Sequence, residues 1–180
     1  MVISNHRSFL DPIVVHLPFP WRRINYLATK NLFDTKLKKW FFEKVHCIVV
    51  DKENFSLSSF HEVVTRLENG KMVIIFPEGE VNKDVKDTIH TFKSGAVLMA
   101  HKSGAVILPM YIHKRQKWYH RQRIVLGQQI NIREMLGPIP NIEDLTRASD
   151  LLKEKELELR EYFESLPIYT KKLKETSHKE

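Results

Sequence analysis

The sequence predicts an α/β domain in which helices flank one mostly parallel sheet. Short apolar runs with the character of strands alternate along the chain with longer segments of helical periodicity, the order typical of a parallel sheet. The chain has 180 residues, 42% of them hydrophobic, so it can form one domain with a real core and is too short for two. No internal repeat is visible in the sequence. We therefore predict a single-domain sandwich.

Each element is predicted from its hydrophobic periodicity and from the residues that begin or end it. The strands are predicted at residues 1–4, 24–29, 47–51, 72–76, 105–112 and 123–130, and the helices at 9–17, 31–45, 59–68, 87–102 and 142–165. Ser59 and Glu62 have the spacing of a capping box, and Gly70 and Gly104 mark helix ends. The last helix has few apolar positions, so we expect it to pack on the outside. The domain should span residues 1–170, and 171–180 should be a polar tail.

Composition narrows the partners and the compartment. The 29 basic and 22 acidic residues give a net charge of +7, which favours phospholipid headgroups, coenzyme phosphates, an acidic carrier protein or nucleic acid. The single cysteine, Cys47, excludes an internal disulfide and suits a reducing compartment, and its apolar context indicates a buried packing residue rather than a nucleophile. The sequence contains no apolar run long enough to span a membrane and no signal-peptide pattern.

Some basic and aromatic segments suit a membrane surface. The predicted helix 31–45 has an apolar side and a lysine-rich side, and Trp21 and Trp40 are candidates for insertion among lipid chains. The alternative for this helix is a core-facing apolar side with a solvated basic face. The loop 114–123, with Trp118 and Tyr119, could stack on nucleic acid bases, but we prefer a hairpin tip or a headgroup contact.

The stretch NHRSFLDP, directly after the first strand, holds an imidazole and a carboxylate five positions apart. Residues with this spacing do not share a helix face. If Ser8 caps a helix that begins near Asp11, the chain bends and the carboxylate can fold back onto His6. Such a partner fixes the tautomer, so that the second ring nitrogen can take a proton from a hydroxyl. The alternative is a simple capping motif beside an unrelated histidine.

A second stretch, FPEGEVN, follows the predicted strand 72–76. Pro77 cannot continue a central strand, and Gly79 lets the backbone approach a ligand closely. Glu78 is therefore presented where the strand ends. Taken alone, this pattern could also be an ordinary turn with an exposed acid.

Together, the two stretches resemble the first and third signature blocks of the glycerolipid acyltransferase family, which includes the lysophosphatidic acid acyltransferases and tafazzin. The fixed positions of these blocks are matched by Asn5, His6, Ser8 and Asp11, and by Phe76, Pro77, Glu78 and Gly79. Residues 47–52 and 106–112 are similar to the second and fourth blocks, and FKSGA at 92–96 resembles the helix start that follows the third. Glu80 and Val81 replace the usual hydroxyl residue and arginine, which brings this tail nearer to the tafazzin-like form.

The resemblance implies a glycerolphosphate acyltransferase-like fold and a specific reaction. A fatty acyl group would pass from acyl-coenzyme A or acyl carrier protein to the free hydroxyl of 1-acylglycerol 3-phosphate, giving phosphatidic acid. His6 would be the general base, oriented by Asp11. The residues expected to bind substrate are Asn5, Arg7, Ser8, Lys52, Phe76, Pro77, Glu78 and Gly79. Lys52 stands where the family usually has arginine, so we expect looser phosphate binding. We expect no metal, and no cofactor besides the acyl donor as co-substrate.

Two other functions remain open. A transacylase that exchanges chains between phospholipids would use the same His6 and Asp11, and Val81 favours it mildly. A non-catalytic protein that binds anionic lipid or nucleic acid would rest on the charge alone. We expect a protein at the cytoplasmic face of a membrane, held there peripherally. Family members usually carry residues ahead of the first strand that seat the enzyme on the bilayer, and we expect this docking segment to be absent here.

Overall fold

One six-stranded sheet organises the described part of the chain. The structure, a computed structural model, describes residues 1–8, 10–29, 47–50, 57–82, 89–113 and 122–167. The strands are β1 (Val2–Ser4), β2 (Ile24–Thr29), β3 (Cys47–Val50), β4 (Met72–Ile75), β5 (Leu108–His113) and β6 (Arg123–Leu126), in the order β3-β2-β4-β1-β5-β6. Neighbours run parallel except β5 and β6. The predicted mostly parallel sheet is confirmed.

Helices cover both faces of this sheet. They are α1 (Asp11–His16), α2 (Leu57–Glu68), α3 (Gly95–Ser103), α4 (Ile132–Leu136) and α5 (Ile142–Ser165). Because successive strand residues point to opposite faces, Val2 packs with Val14 and Val15 of α1 on one side. Ile3 packs with residues of α3, α4 and α5 on the other, where Val73 meets α2. The α/β sandwich is therefore as predicted.

The start of α3 differs from the prediction because tertiary contacts compete for the backbone. Apolar periodicity placed the helix at 87–102, but α3 begins at Gly95. The amide of His90 donates to Glu78 Oε2 at 3.1 Å, and the amide of Lys93 donates to the Pro77 carbonyl at 3.0 Å. The amides of this segment thus bind the loop after β4 rather than a preceding helical turn. Gly104 does end the helix, with φ +68°.

The start of α2 was also predicted wrongly. The helix begins at Leu57, so Ser59 lies inside its first turn, where it is buried and cannot cap the helix. Glu62 instead pairs with Arg66 at 2.5 Å, one turn further along. The end is as predicted, because Gly70 adopts φ +70° and its amide donates to the Leu67 carbonyl at 2.9 Å.

The carboxyl-terminal helix α5 has the predicted bounds but not the predicted packing. Ala148, Leu152 and Phe163 are buried, and so is Glu156, with 0% exposed. The sparse apolar positions therefore form a stripe that faces the sheet and includes one acid. Asn141 and Asp144 form a capping box at the start.

The strands β5 and β6 are shorter than predicted. β5 begins at Leu108 and β6 ends at Leu126. Outside these strands, Ile107 and Ile130 pair as an isolated bridge. The helix α4 was not predicted. It is short, and its capping residue Asn131 accepts a hydrogen bond from the Glu134 amide at 3.4 Å, a signal too brief to show as periodicity.

Some predicted features lie outside the described residues. They are the helix 31–45 with Trp40, Lys52, most of the loop 114–123, and the tail 171–180. Within the described ranges, no helix combines the length and the apolar character that crossing a membrane would require.

Candidate active site

The two sequence motifs meet at one edge of the sheet. Asn5 and His6 directly follow β1, and the segment 76–82 directly follows β4. β1 and β4 are parallel neighbours with Val2 opposite Ile74, so both motifs leave the sheet at its carboxyl edge. Stretches about seventy residues apart in sequence therefore come into contact, as open parallel sheets commonly arrange for their ligand sites.

His6 and Asp11 form the pair that the spacing predicts. His6 Nδ1 lies 3.0 Å from Asp11 Oδ2, and the side chains are 17% and 4% exposed. The same carboxylate oxygen accepts from the backbone amides of Arg7 at 2.5 Å and Ser8 at 2.7 Å. Asp11 is thus fixed from three directions. Since Nδ1 is committed to Asp11, Nε2 is the nitrogen available to a substrate.

The prediction that Ser8 caps α1 is wrong. Leu10 precedes the helix and no side chain caps it. Ser8 Oγ accepts from the amide of Leu10 at 3.3 Å. In addition, the Asp11 carboxylate accepts from the amide of Ser8. The bend that brings the carboxylate onto His6 is present all the same.

Phe76 supports the imidazole rather than facing away from it. The rings of His6 and Phe76 are stacked, with centroids 4.1 Å apart and planes 17° apart. The ring is therefore held by Asp11 at one atom and by Phe76 across one face. The geometry of Phe76 supports a role in orienting the base, and its predicted contact with substrate stays a prediction.

Glu78 is a buried acid that hydrogen-bonds to other parts of the protein. It is 5% exposed. Its Oε1 accepts from the His6 amide at 3.0 Å, and its Oε2 accepts from the Asn82 side chain and the His90 amide, both at 3.1 Å. Its oxygens accept from donors of the protein, and its predicted contact with substrate stays a prediction. It joins the two motifs, helped by the Asn82 amide, which donates to the His6 carbonyl at 2.7 Å.

The side chain of Asn5 also forms hydrogen bonds within the protein. It is 1% exposed, its side-chain nitrogen donates to the Ile112 carbonyl at 3.0 Å, and its side-chain oxygen accepts from the Ile112 amide at 2.8 Å. It therefore fastens the end of β1 to β5. Its predicted contact with substrate stays a prediction, whereas its position supports a role in placing His6.

Gly79 and a cation form the exposed side of the turn. Gly79 has φ +75°, and a Cβ added there would lie 3.0 Å from Lys93 Nζ. Lys93 is exposed and was not predicted, although it belongs to the FKSGA segment. Arg7 is half-buried and Pro77 is buried. These positions agree with an anion site beside the histidine, while Lys52 lies outside the described residues.

Cys47 is poorly suited to act as a nucleophile. Burial raises the pKa of the Cys47 thiol to about 11, which opposes a thiolate nucleophile near neutral pH. Cys47 is half-buried rather than fully buried. In the described part of the chain, no three His, Cys, Asp or Glu side chains are grouped so that they could hold a metal ion. The expected absence of a metal and of a cofactor stays a prediction.

Fold and site together define an α/β scaffold that orients a histidine at the carboxyl edge of its sheet. Residues 1–113 match the family model described as Acyltransferase. The chain therefore belongs to the acyltransferase family and is an acyltransferase, as the two motifs predict.

Comparison with individual proteins gives the same family. The chain is 26% identical over 172 residues to a 1-acyl-sn-glycerol-3-phosphate acyltransferase of Bacillus subtilis, covering 92% of this chain and 83% of that protein. It is 28% identical over 118 residues to a probable enzyme of the same name from Mycoplasma pneumoniae, covering 62% of this chain and 43% of the relative. The chain thus spans less than half of the mycoplasma protein.

A solved structure supports the fold. The crystal structure of the 1-acyl-sn-glycerophosphate (LPA) acyltransferase, PlsC, from Thermotoga maritima superposes with a TM-score of 0.61 and 20% sequence identity. The match covers 88% of this chain and 65% of that one. At this identity the likeness establishes the fold.

Proposed function

We propose that the chain transfers a fatty acyl group from an acyl thioester to the free hydroxyl of 1-acylglycerol 3-phosphate, giving phosphatidic acid for phospholipid biosynthesis. The observation that carries the proposal is the oriented imidazole of His6, 3.0 Å from the buried Asp11, in a chain of this family. The names of its relatives in Bacillus subtilis and Mycoplasma pneumoniae support the choice of acceptor.

The proposed step needs one base and no covalent enzyme intermediate. His6 Nε2 takes the proton of the acceptor hydroxyl while the hydroxyl oxygen attacks the thioester carbonyl carbon. The C–S bond then breaks, and the leaving thiolate receives that proton, so that the products are phosphatidic acid and a free thiol. Asp11 stabilises the imidazolium that forms in between, as a buried carboxylate partner does in other histidine-based sites.

The acceptor phosphate would lie beside the histidine at the Gly79 turn. Lys93 Nζ is placed against Gly79, and Arg7 adjoins His6 in sequence. Both cations favour a phosphate group. Lys52 is proposed to add a third charge, in keeping with the second family block. Ser8 is exposed at the same place and can face a glycerol hydroxyl.

We also propose that the protein works at a membrane surface, on the cytoplasmic side, where its acceptor resides. Leu10, Ile13 and Leu17 lie on one side of α1 and are 49%, 62% and 61% exposed. Trp21 follows with 94% exposed, and Arg22 comes next in sequence. Aromatic and aliphatic side chains beside arginines are typical of interfacial segments. The same helix carries Asp11, the partner of the proposed base, among its buried residues.

The proposal is tested with purified protein, 1-acylglycerol 3-phosphate in mixed micelles, and three donors offered separately: acyl-coenzyme A, acyl carrier protein and a diacyl phospholipid. We expect one free thiol per phosphatidic acid with at least one thioester. Product formed from the phospholipid alone would replace the proposal with a transacylase. Lipid binding without product from any donor would leave only a non-catalytic binder. Monoacylglycerol is the matched acceptor control, and the loss of its phosphate should lower kcat/KM by about tenfold or more.

A further inference from the structure

A second group of basic side chains lies at the amino edge of the sheet, opposite the candidate active site. It surrounds a cavity of about 400 Å³, within the size range of small-molecule sites. The residues that line this cavity are Arg23, Asn25, Arg66, Asn69 and Lys71. They come from the start of β2, the end of α2 and the turn before β4. Three cations and two side-chain amides from separate segments therefore converge on one space.

Arg66 is held in a defined orientation at this cavity. One terminal nitrogen donates to the side-chain oxygen of Asn25, and the other donates to Glu62 Oε1 at 2.5 Å. Asn25 is buried, and its own nitrogen donates to the Met72 carbonyl at 2.9 Å. A guanidinium group has more N–H donors in its planar fork than these two bonds use. The remaining donors are open to a ligand.

The cavity has a surplus of positive charge. Glu62 pairs with Arg66, but in the described part of the chain neither Arg23 nor Lys71 forms an ion pair or a side-chain hydrogen bond. Cations near the end of a helix favour its dipole, which explains Arg66 and Lys71. It does not explain Arg23, which comes from another segment. Like charges that line one cavity repel one another, so this arrangement favours a bound anion.

The cavity is too far from His6 to hold the acceptor phosphate of the proposed reaction. Lys71 directly precedes β4, and Phe76, on which His6 stacks, directly follows it. The usual rise of a strand separates these two positions by roughly 16 Å. In 1-acylglycerol 3-phosphate the free hydroxyl and the phosphate are on neighbouring carbon atoms. An acceptor whose hydroxyl reaches His6 therefore keeps its phosphate at the carboxyl edge, and the cavity needs another ligand.

The neighbourhood of the cavity favours a lipid headgroup as that ligand. Trp21 is 94% exposed and lies two residues before Arg23, so their Cα atoms are at most about 8 Å apart. Arg22, between them, is also exposed. At a membrane interface, tryptophan rings lie at the level of the headgroups and basic side chains meet the anionic lipids. The cavity thus adjoins a residue suited to that interface.

We propose that this cavity binds the phosphate group of an anionic phospholipid headgroup, with Arg66 as the oriented donor and Arg23 and Lys71 as flanking cations. The bound lipid belongs to the surrounding membrane and is neither acceptor nor product of the reaction. The inference rests on the membrane contact proposed above and adds a defined site to it. The phosphates of a coenzyme share this chemistry, and the experiments separate the two sources.

The first experiment is sedimentation with phosphatidylcholine vesicles that contain phosphatidylglycerol. This lipid is anionic but is neither substrate nor product of the proposed reaction. The double variant Arg23→Gln with Lys71→Gln should bind about tenfold or more weakly than the wild type, because each basic side chain near an anionic surface contributes to binding. The control, Arg147→Gln with Lys155→Gln, removes the same charges from α5, which packs on β5 and β6. It should bind as the wild type does, and equal losses in both double variants would overturn the proposal.

The variant Arg66→Lys separates a built site from charge alone. It keeps the charge but loses the planar fork that Asn25 and Glu62 hold. Vesicle binding should fall by about threefold or more, since lysine cannot replace the oriented donors. Arg147→Lys, at an exposed position of α5, is the matched control and should bind as the wild type does. Wild-type binding by a folded Arg66→Lys protein would contradict the proposal.

Soluble phosphates identify the source of the ligand. The NMR resonances of the Asn25 and Asn69 side-chain amides are followed with glycerophosphoglycerol, inorganic phosphate or adenosine bisphosphate, each against sodium chloride at equal ionic strength. We expect the first two to shift these resonances in the wild type but not in the Arg23→Gln, Lys71→Gln double variant. No shift with any phosphate would overturn the proposal. So would a response to adenosine bisphosphate combined with wild-type vesicle binding by that double variant, because the cavity would then serve the coenzyme.

These binding measurements do not depend on acyl transfer. A wild type without activity would defeat the proposed function, and the vesicle and NMR comparisons would still decide whether the cavity binds a headgroup. Normal vesicle binding by Ile13→Gln, together with weak binding by the Arg23→Gln, Lys71→Gln double variant, would reject the contact through α1 and support the cavity.

Discussion

At the scale of single residues, the site is built from side chains that hold one imidazole. Asp11 binds Nδ1 of His6, Phe76 stacks on its ring, and Glu78 accepts from its backbone amide. Few of the residues around the histidine are therefore free to bind substrate. Lys93, beside the Gly79 turn, and Ser8 are exposed.

The Gly79 turn gives a residue-scale prediction. Alanine at this position would adopt a left-handed backbone, and its Cβ would lie 3.0 Å from Lys93 Nζ and 3.1 Å from Lys93 Cε. We expect Gly79→Ala to lower the free energy of unfolding by about 1 to 2 kcal/mol. Because Lys93 must move, KM for the phosphate acceptor should also rise. Urea unfolding and steady-state kinetics measure the two effects.

Gly70→Ala is the matched control, since Gly70 has φ +70° and nothing lies within 4 Å of an added Cβ. It should lose similar stability and leave KM unchanged. Equal KM values in the two variants would show that Lys93 does not contact the acceptor.

Some contacts of single residues could be predicted from the sequence and others could not. The spacing of His6 and Asp11 was enough to predict their contact, because a strand-to-helix bend offers few other geometries. Burial of Glu78 and Glu156 was not predictable, since nothing in the local pattern distinguishes an acid that faces the core from one that faces water. The packing of α5 against the sheet buries Glu156, and Glu78 is bound by His6, Asn82 and His90.

At the scale of elements, the proposed base His6 directly follows β1, and the Asn5 side chain joins this end of β1 to β5. Replacing Asn5 with alanine would leave the amide and carbonyl of Ile112 without their side-chain partners. We expect Asn5→Ala to cost about 2 to 4 kcal/mol of unfolding free energy. It should also lower kcat, because His6 follows Asn5 directly.

Asn25→Ala is the control for this prediction. Asn25 is also buried and its side chain donates to the Met72 carbonyl at 2.9 Å, but at the amino end of β2 and β4. It should lose stability without a comparable loss of kcat. A similar loss of kcat in both variants would mean that the effect comes from general destabilisation.

The helix α1 gives a second prediction at this scale. If its exposed apolar side docks on a membrane, Ile13→Gln and Trp21→Ala should each weaken sedimentation with anionic liposomes by about fivefold or more. Ile139→Gln, at a position 89% exposed and distant in sequence, is the control and should bind as the wild type does. Undiminished binding of the α1 variants would place the membrane contact elsewhere.

Element bounds were predicted well where periodicity acts alone and poorly where tertiary contacts compete. The strand β2 and the helix α5 have the predicted limits. The start of α3 was missed because the amides of His90 and Lys93 bind the 77–78 turn. Such competition leaves no trace in a hydrophobic pattern.

At the scale of the whole molecule, the order of the strands creates the site. β1 lies between β4 and β5. The stretch NHRSFLDP after β1 therefore contacts the stretch FPEGEVN on one side and Ile112 on the other. Alternation of strands and helices predicted a parallel sheet, but it does not specify strand order.

The most direct test of the account is the rate of thiol release by His6→Ala with 1-acylglycerol 3-phosphate and the preferred thioester donor. We expect kcat to fall by about a hundredfold to ten-thousandfold, the usual effect of removing a positioned base, with Tm close to that of the wild type. His61→Ala is the control, since His61 is an exposed residue of α2 whose ring Nδ1 lies 2.8 Å from the Leu57 carbonyl, and it should retain full activity. A folded His6→Ala protein with nearly wild-type kcat would contradict the central claim.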